Sequence, residues 1–197
     1  AEPPALPPLD AIPGERRIPL IYDCDLTMGR PFRSVGDGLT LLYLLGEPRI
    51  DLRAVTTTYG NGPVGMATRT ARQLLHDLNL DHIVVAQGAR HPDDDPTENE
   101  AAQLLAEAID DSPDEVVVLA TGALTNLKHA AMLNPDVFRK LRSLYLVGGV
   151  TSVTGTLSWN ERRLAERNFS ADPEAAYMAI QPDCPTTIAP AEAALTA

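Results

Sequence analysis

The chain has 197 residues, with 16 Lys and Arg against 27 Asp and Glu, a formal net charge of −11 and a pI near 4.7. That acidity argues against a nucleic-acid binder, which needs clustered Lys and Arg to meet phosphates, and no apolar run approaches the roughly 20 residues of a membrane span. Hydrophobic residues at 44% and charged residues at 22% suit a single globular domain with a sizeable core.

Residues 1–16 open with Ala1-Glu2-Pro3-Pro4-Ala5-Leu6-Pro7-Pro8 and carry no periodicity. They read as a flexible Pro-rich N-terminal tail of polyproline II character, ahead of one α/β domain over 17–197. The expected compartment is cytoplasmic, or secreted or periplasmic if the tail follows a removed signal peptide. Cys24 and Cys184 make no disulfide framework and read as two buried thiols.

Order begins at Ile18-Pro19-Leu20-Ile21-Tyr22, a buried strand that delivers Asp23-Cys24-Asp25 at its C-terminal end. Residues 26–36 form a loop, and 39–45 form a buried helix stopped by Gly46 and Pro48. Residues 50–57 are a second strand, followed by the loop Tyr59-Gly60-Asn61-Gly62 and an amphipathic helix over 63–78 with Pro63 in its first turn. A third strand covers 83–86. The loop 87–97, with a solvated Asp93-Asp94-Asp95, leads to a helix over 98–109 and a fourth strand over 116–120. Gly122 turns into a helix around 126–133, and a fifth strand over 144–147 ends in Gly148-Gly149. Asp172 and Pro173 are the N-cap and first position of another helix, and 186–189 is a sixth strand. This alternation predicts an α/β fold, a Rossmann-like, mostly parallel open sheet flanked by helices. Ligands of such sheets bind outside the carboxyl ends of the strands. Asp23–Asp25, Tyr59–Asn61, Ala120–Gly122 and Gly148-Gly149 are therefore expected to share one rim.

Asp23 and Asp25 start on the same side of their strand, so they need a cation, a proton or hydrogen-bond donors between them. Asp37 adds a third carboxylate before the apolar helix, as a ligand or as a helix N-cap. An oxygen-rich, sulfur-poor cluster suits a hard cation such as Ca²⁺ or Mg²⁺. His76 and His129 fall in helices and read as structural. His91 is the loop histidine on the rim side, and Trp159 is placed either to stack on a base or to pack in a loop.

The ordered set Asp23-Cys24-Asp25, Gly36-Asp37-Gly38, Val55-Thr56-Thr57-Thr58-Tyr59-Gly60-Asn61, Leu119 to Leu127, Gly148-Gly149, Asn160, Glu166-Arg167-Asn168 and Asp172-Pro173-Glu174-Ala175-Ala176 resembles the inosine–uridine nucleoside hydrolase family over residues 18–180. The resemblance implies hydrolysis of the N-glycosidic bond of a ribonucleoside, with a bound Ca²⁺ and a small-molecule partner, and a homo-oligomer is expected. By the same resemblance Asp25 and Asp37 are metal ligands and catalytic carboxylates. Thr125 offers a backbone carbonyl to the metal, Asp23 supports the site, and Asn61, Asn160, Glu166 and Asn168 bind the ribose.

The chain departs from the family's pattern in several places. The family's general base falls on Gly36. An insertion, Arg30-Pro31-Phe32-Arg33-Ser34, lengthens the metal loop and is expected to put guanidinium groups against its carboxylates. The family's last third supplies a further metal-binding Asp and an adjacent His that nothing here matches, so the domain is expected to be truncated. His91 is the internal substitute for the missing acid. These departures predict a weak Ca²⁺ site. They also keep open a second role: a catalytically impaired member that binds a ribosyl ligand or serves as an assembly subunit.

Overall fold

The computed structural model describes residues 16–31, 33–151, 157–159 and 162–195. Six strands form one all-parallel sheet: β1 (Ile18–Cys24), β2 (Ile50–Thr57), β3 (Val84–Gln87), β4 (Val117–Ala120), β5 (Ser143–Val147) and β8 (Thr186–Ala189), in the order β3-β2-β1-β4-β5-β8. Two three-residue strands, β6 (Leu157–Trp159) and β7 (Arg162–Leu164), pair antiparallel as a separate ribbon. The helices are α1 (Gly36–Gly46), α2 (Val64–Asp77), α3 (Glu100–Asp111), α4 (Thr125–Leu133) and α5 (Pro173–Ile180). No helix among the described residues is long and apolar enough to cross a membrane. Of the expected N-terminal tail only Arg16 is described, and its guanidinium pairs with Glu115 at 2.7 Å.

The central strands β1 and β4 and the C-terminal half of β2 are buried on both faces, which is why they read as apolar runs, whereas the edge strand β8 is largely exposed. Side chains alternate between two cores. Ile21, Val118, Leu144 and Leu146 pack with Leu105, Ile109, Leu124 and Leu127 under α3, α4 and α5. Leu20, Tyr22, Val55 and Val117 pack with Leu41, Leu44, Ala71 and Leu75 under α1 and α2. Each fully buried aliphatic side chain contributes roughly 1.5–3 kcal/mol. Cys24 lies within the second core, and burial pushes its thiol well above the ordinary value; Cys184 is also free but, against expectation, only partly buried.

The helix expected over 39–45 begins at Gly36 and is buried on one face only, with Leu39 and Tyr43 exposed; two further starts differ for a capping reason. Pro63 is not inside α2 but is its N-cap, with extended backbone (φ −61°, ψ 140°). The helix expected from residue 98 starts at Glu100, because Asp95 caps a 3₁₀ turn over Pro96–Glu98 and the Asn99 side chain then accepts from Ala102 N at 3.0 Å. Asp172 and Pro173 begin α5 as expected, with Asp172 accepting from Ala175 N at 3.0 Å. Asp37 is not an N-cap: it lies in the first turn of α1, whose N-cap is Val35.

The strand order reverses between β1 and β4, the switch point at which ligands of open α/β sheets bind. Above it, α4 enters so close to the β3–α3 loop that a Cβ on Gly88 would overlap both the Asn126 amide and the Thr57 carbonyl. Neither can retreat, since one is held by four hydrogen bonds and the other is backbone. Gly88→Ala is therefore expected to cost about 3 kcal/mol in a urea denaturation series. Gly46→Ala, where a Cβ meets open space, should change stability by less than about 1 kcal/mol.

Candidate active site

Asp23 is the penultimate residue of β1 and is completely buried. Its Oδ1 accepts from Thr56 Oγ1 at 2.6 Å and from Asn126 Nδ2 at 2.8 Å, while its Oδ2 has no partner. Burial outweighs those two donors and pushes its carboxyl up to about 7. Asn126 also donates to Thr57 O at 3.0 Å and accepts from Ala89 N at 3.0 Å and Asn99 Nδ2 at 3.1 Å. Both of its donors and its carbonyl oxygen are satisfied without water.

Asp25 and Asp37 form the carboxylate pair of the rim. Asp37 Oδ2 accepts from Asp25 N at 3.2 Å, and its Oδ1 accepts from Thr121 Oγ1 at 2.9 Å. Tyr22 O–H lies 3.0 Å from Thr121 Oγ1 and supports it from the core. Asp25 Oδ2 accepts from Asn61 N. Gly60 allows this approach: its φ is +142°, and a Cβ there would overlap the Asp25 carboxylate. Burial first, then the hydrogen-bonded carboxyl of Asp37, pushes Asp25 up to about 8. Both causes favour the protonated Asp25 carboxyl.

The expected ribose-binding residues are placed differently from one another. Asn61 reaches the rim, but the insertion loop occupies its amide. Nδ2 donates to Thr27 Oγ1 at 2.5 Å and to Ser34 O at 3.1 Å, and Oδ1 accepts from Ser34 N at 3.2 Å. Arg33 donates to Asn61 O at 2.6 Å. The guanidinium expected against the carboxylates binds this carbonyl instead, because the loop path brings it over residue 61. Asn168 donates to Thr121 O at 2.9 Å and Val147 O at 2.7 Å, tying the ends of β4 and β5. The Glu166 carboxylate accepts from the backbone N–H groups of Asn168, Phe169 and Ser170 at 2.8 to 3.1 Å. Asn160 and the Trp159 side chain lie outside the described residues.

Thr125, the first residue of α4, donates from Oγ1 to Asp172 Oδ2 at 2.8 Å and lies 2.9 Å from the Tyr59 hydroxyl, which also donates to Ala171 O at 3.2 Å. The His91 ring stands 6.3 Å from the Tyr59 ring, centroid to centroid. Lys128 donates to Asp172 Oδ2 at 2.9 Å and to Pro92 O at 3.1 Å. Burial favours the neutral lysine, but Asp172 and Glu174 outweigh it and hold the ammonium above its usual value. Burial of Asp172 is outweighed in turn by Ala175 N, Lys128 and Thr125, which hold its carboxyl below the usual range. Burial lowers His129 below the ordinary imidazole value; its Nδ1 lies 3.0 Å from Asn99 Nδ2, and the ring also bonds the Pro92 backbone. The motif that contains Asn126 carries no signal of its role, and neither does the sequence around Lys128. What was available was a general signal, four polar residues within one helical turn at a strand–helix junction.

A family model described as inosine–uridine preferring nucleoside hydrolase matches residues 20–197. The chain belongs to this family. Among curated relatives, a pyrimidine-specific ribonucleoside hydrolase of Citrobacter koseri is 26% identical over 87% of this chain and 59% of its own length. A probable uridine nucleosidase of Arabidopsis thaliana is 28% identical over 73% of this chain and 52% of its own. The chain therefore spans between half and three-fifths of the length of these two relatives. Among solved structures, a plant nucleoside hydrolase superposes with a TM-score of 0.73 at 23% identity, covering 89% of this chain and 60% of the other. A purine-preferring ribonucleoside hydrolase from Gardnerella vaginalis gives 0.71 at 23% identity, covering 87% and 60%. Those likenesses establish the nucleoside-hydrolase fold.

A hard cation takes oxygen ligands, and the rim offers oxygen donors: the Asp25–Asp37 pair and, behind it, the unpartnered Asp23 Oδ2. The donor set fits Ca²⁺ in kind. Its number is small, since no three His, Cys, Asp or Glu side chains among the described residues converge as a ready cage.

The protons on Asp23 and Asp25 fix the sign of a pH effect. Unfolded carboxyls release theirs near pH 4, whereas the folded ones hold them to about 7 and about 8. The folded state then binds more protons, so stability is fully present below the unfolded value and falls as pH rises through the folded values. With chelator present, the melting temperature is expected to drop between pH 5 and pH 8, and Asp25→Asn to flatten that drop. A wild-type profile that rises across the window would contradict the raised carboxyls of Asp23 and Asp25.

Proposed function

We propose that the chain is the core of a ribonucleoside N-ribohydrolase, releasing a free base and ribose. The observation that carries this is the Asp25–Asp37 carboxylate pair at the β1/β4 switch point of a chain the family model matches from residue 20 to residue 197. A Ca²⁺ ion held by Asp25, Asp37 and the Thr125 carbonyl, with Asp23 in support, supplies a more acidic water and a grip on ribose hydroxyls when bound.

The reaction forms a bond from water oxygen to the anomeric carbon and breaks the carbon–nitrogen bond. The electron pair leaves with the base, which takes up a proton. Positive charge develops on the ribosyl ring, as in the oxocarbenium-like state of glycoside hydrolysis, and the negative potential of the Asp25–Asp37 pair stabilises it. The same pair accepts the water's proton, since Gly36 brings no side chain for that purpose. Thr121 and Asn61 N hold the two carboxylates in place while they do so. Asn61, Asn168, Glu166 and Asn160 remain the candidates for ribose contact. Asn61 becomes available once the insertion loop releases its amide.

That occupied amide also favours the second reading, a family member that binds a ribosyl ligand without turnover. Incubating the protein with inosine, uridine, adenosine and cytidine plus Ca²⁺, followed by a reducing-sugar assay, separates the two. Ribose release from at least one nucleoside is expected, and Asp25→Ala should reduce it by about a hundredfold or more. Ca²⁺ should raise the melting temperature of the wild type, by the equivalent of about 2.7 kcal/mol at a hundredfold excess over Kd, and leave Asp25→Ala unmoved. No ribose from any nucleoside, with a flat Ca²⁺ response, would remove the hydrolase reading.

A further inference from the structure

Lys128 is one of two lysines in the chain, and its side chain is only 7% exposed. A buried ammonium is costly, and a well-packed apolar residue of similar volume is often as stable or more so. The geometry around Lys128 shows what its charge does. Its three N–H donors meet three acceptors: Asp172 Oδ2 at 2.9 Å, Pro92 O at 3.1 Å and Glu174 Oε2 at 3.4 Å. Two segments of the rim are thereby joined at one atom, the β3–α3 loop at Pro92 and the start of α5 at Asp172 and Glu174.

A third segment is joined through Asp172. Its Oδ2 also accepts from Thr125 Oγ1, which is hydrogen-bonded to the Tyr59 hydroxyl, and Tyr59 further donates to Ala171 O, the neighbour of Asp172. Tyr59 stands against His91, the neighbour of Pro92. The contacts close a ring: Lys128, Pro92, His91, Tyr59, Thr125, Asp172 and back to Lys128. Tyr59 is followed directly by Gly60 and Asn61, the two residues that sit on the Asp25 carboxylate. The ring therefore borders the carboxylate pair through two residues of backbone.

We propose that Lys128 is a positioning residue. Its ammonium fixes the Tyr59–His91 wall and the Gly60–Asn61 backbone relative to the Asp25–Asp37 pair. Its effect on turnover rests on the hydrolase reading above; its effect on loop order does not. Misplacing substrate-facing groups by about 1 Å from a distance costs up to roughly a hundredfold. The loss is expected in substrate binding, because neither reacting carboxylate touches Lys128.

The test compares Lys128→Met, similar in length but uncharged, with Lys128→Arg, which keeps the charge. Two readouts are needed: steady-state kinetics on the nucleoside the wild type cleaves best, and amide hydrogen exchange. Lys128→Met is expected to raise KM about tenfold with kcat within about threefold. It should speed exchange in residues 58–62 and 88–94 while leaving β1 and β4 protected. Lys128→Arg should restore most of both. If Lys128→Met does not fold, Asp172→Asn keeps the helix cap, removes the same ion pair and is read the same way. An unchanged KM with a uniform rise in exchange would reduce Lys128 to a stability contact and overturn the proposal. If the wild type releases no ribose, the hydrolase reading fails by itself. Exchange then decides alone: faster exchange confined to the two loops sustains the positioning role, and its absence refutes it.

Discussion

The carboxamide of Asn126 is the contact on which the rim depends. It is buried at the N-terminus of α4 and spends both N–H donors and its oxygen on four partners from four segments: β1, β2, the β3–α3 loop and the cap of α3. Each such bond contributes only about 1 kcal/mol net, but a buried donor or acceptor left unmatched costs about 1–3 kcal/mol. The network therefore tolerates no partial version of itself. It also sets the height of Asp23, and so the level at which β1 ends and the Asp25–Asp37 pair begins.

The rest of the first turn of α4 extends the same logic. Thr125, Asn126, Lys128 and His129 are all buried, an unusual density of polar side chains for the inside of a helix. Between them they bind Asp23, the end of β2, the β3–α3 loop, the cap of α3 and the start of α5. In a low-dielectric interior a fully satisfied polar network specifies one geometry, whereas apolar packing accepts several. Strands and apolar cores give this protein its fold, and one polar helical turn gives its rim a fixed shape.

Much of this was legible from the residues. Parallel strands buried on both faces read as apolar runs, so β1, β2, β4 and β5 emerge at once, and Asp172-Pro173 marks α5 through capping chemistry that is local in sequence. What stayed hidden was non-local. The partners of Asn126 lie up to 103 positions away, and nothing in its immediate neighbours announces them. Arg33 was expected to seek the nearest carboxylates by charge; loop geometry sends it to a carbonyl instead. Strands β6 and β7, at three residues each, are too short for a period of two to show. At the site, the place of Asp25 followed from the strand-end rule, whereas Asp37, at a helix start, was joined to it through the family resemblance. The engagement of Asn61 by the inserted loop depended on the path of a segment with no sequence period at all.

That inserted strap has a consequence for measured affinity. Thr27 and Ser34 use the same donors and acceptor on Asn61 that a sugar hydroxyl would use. For any ligand that takes this amide, strap and ligand are competitors at one address, and only the fraction of molecules with the strap released is competent. The apparent dissociation constant is the intrinsic one divided by that fraction, so a strap closed in about 99 molecules of 100 weakens binding about a hundredfold without altering any ligand contact. Two proteins with identical rims and different straps would then differ in potency for a reason invisible in either bound complex.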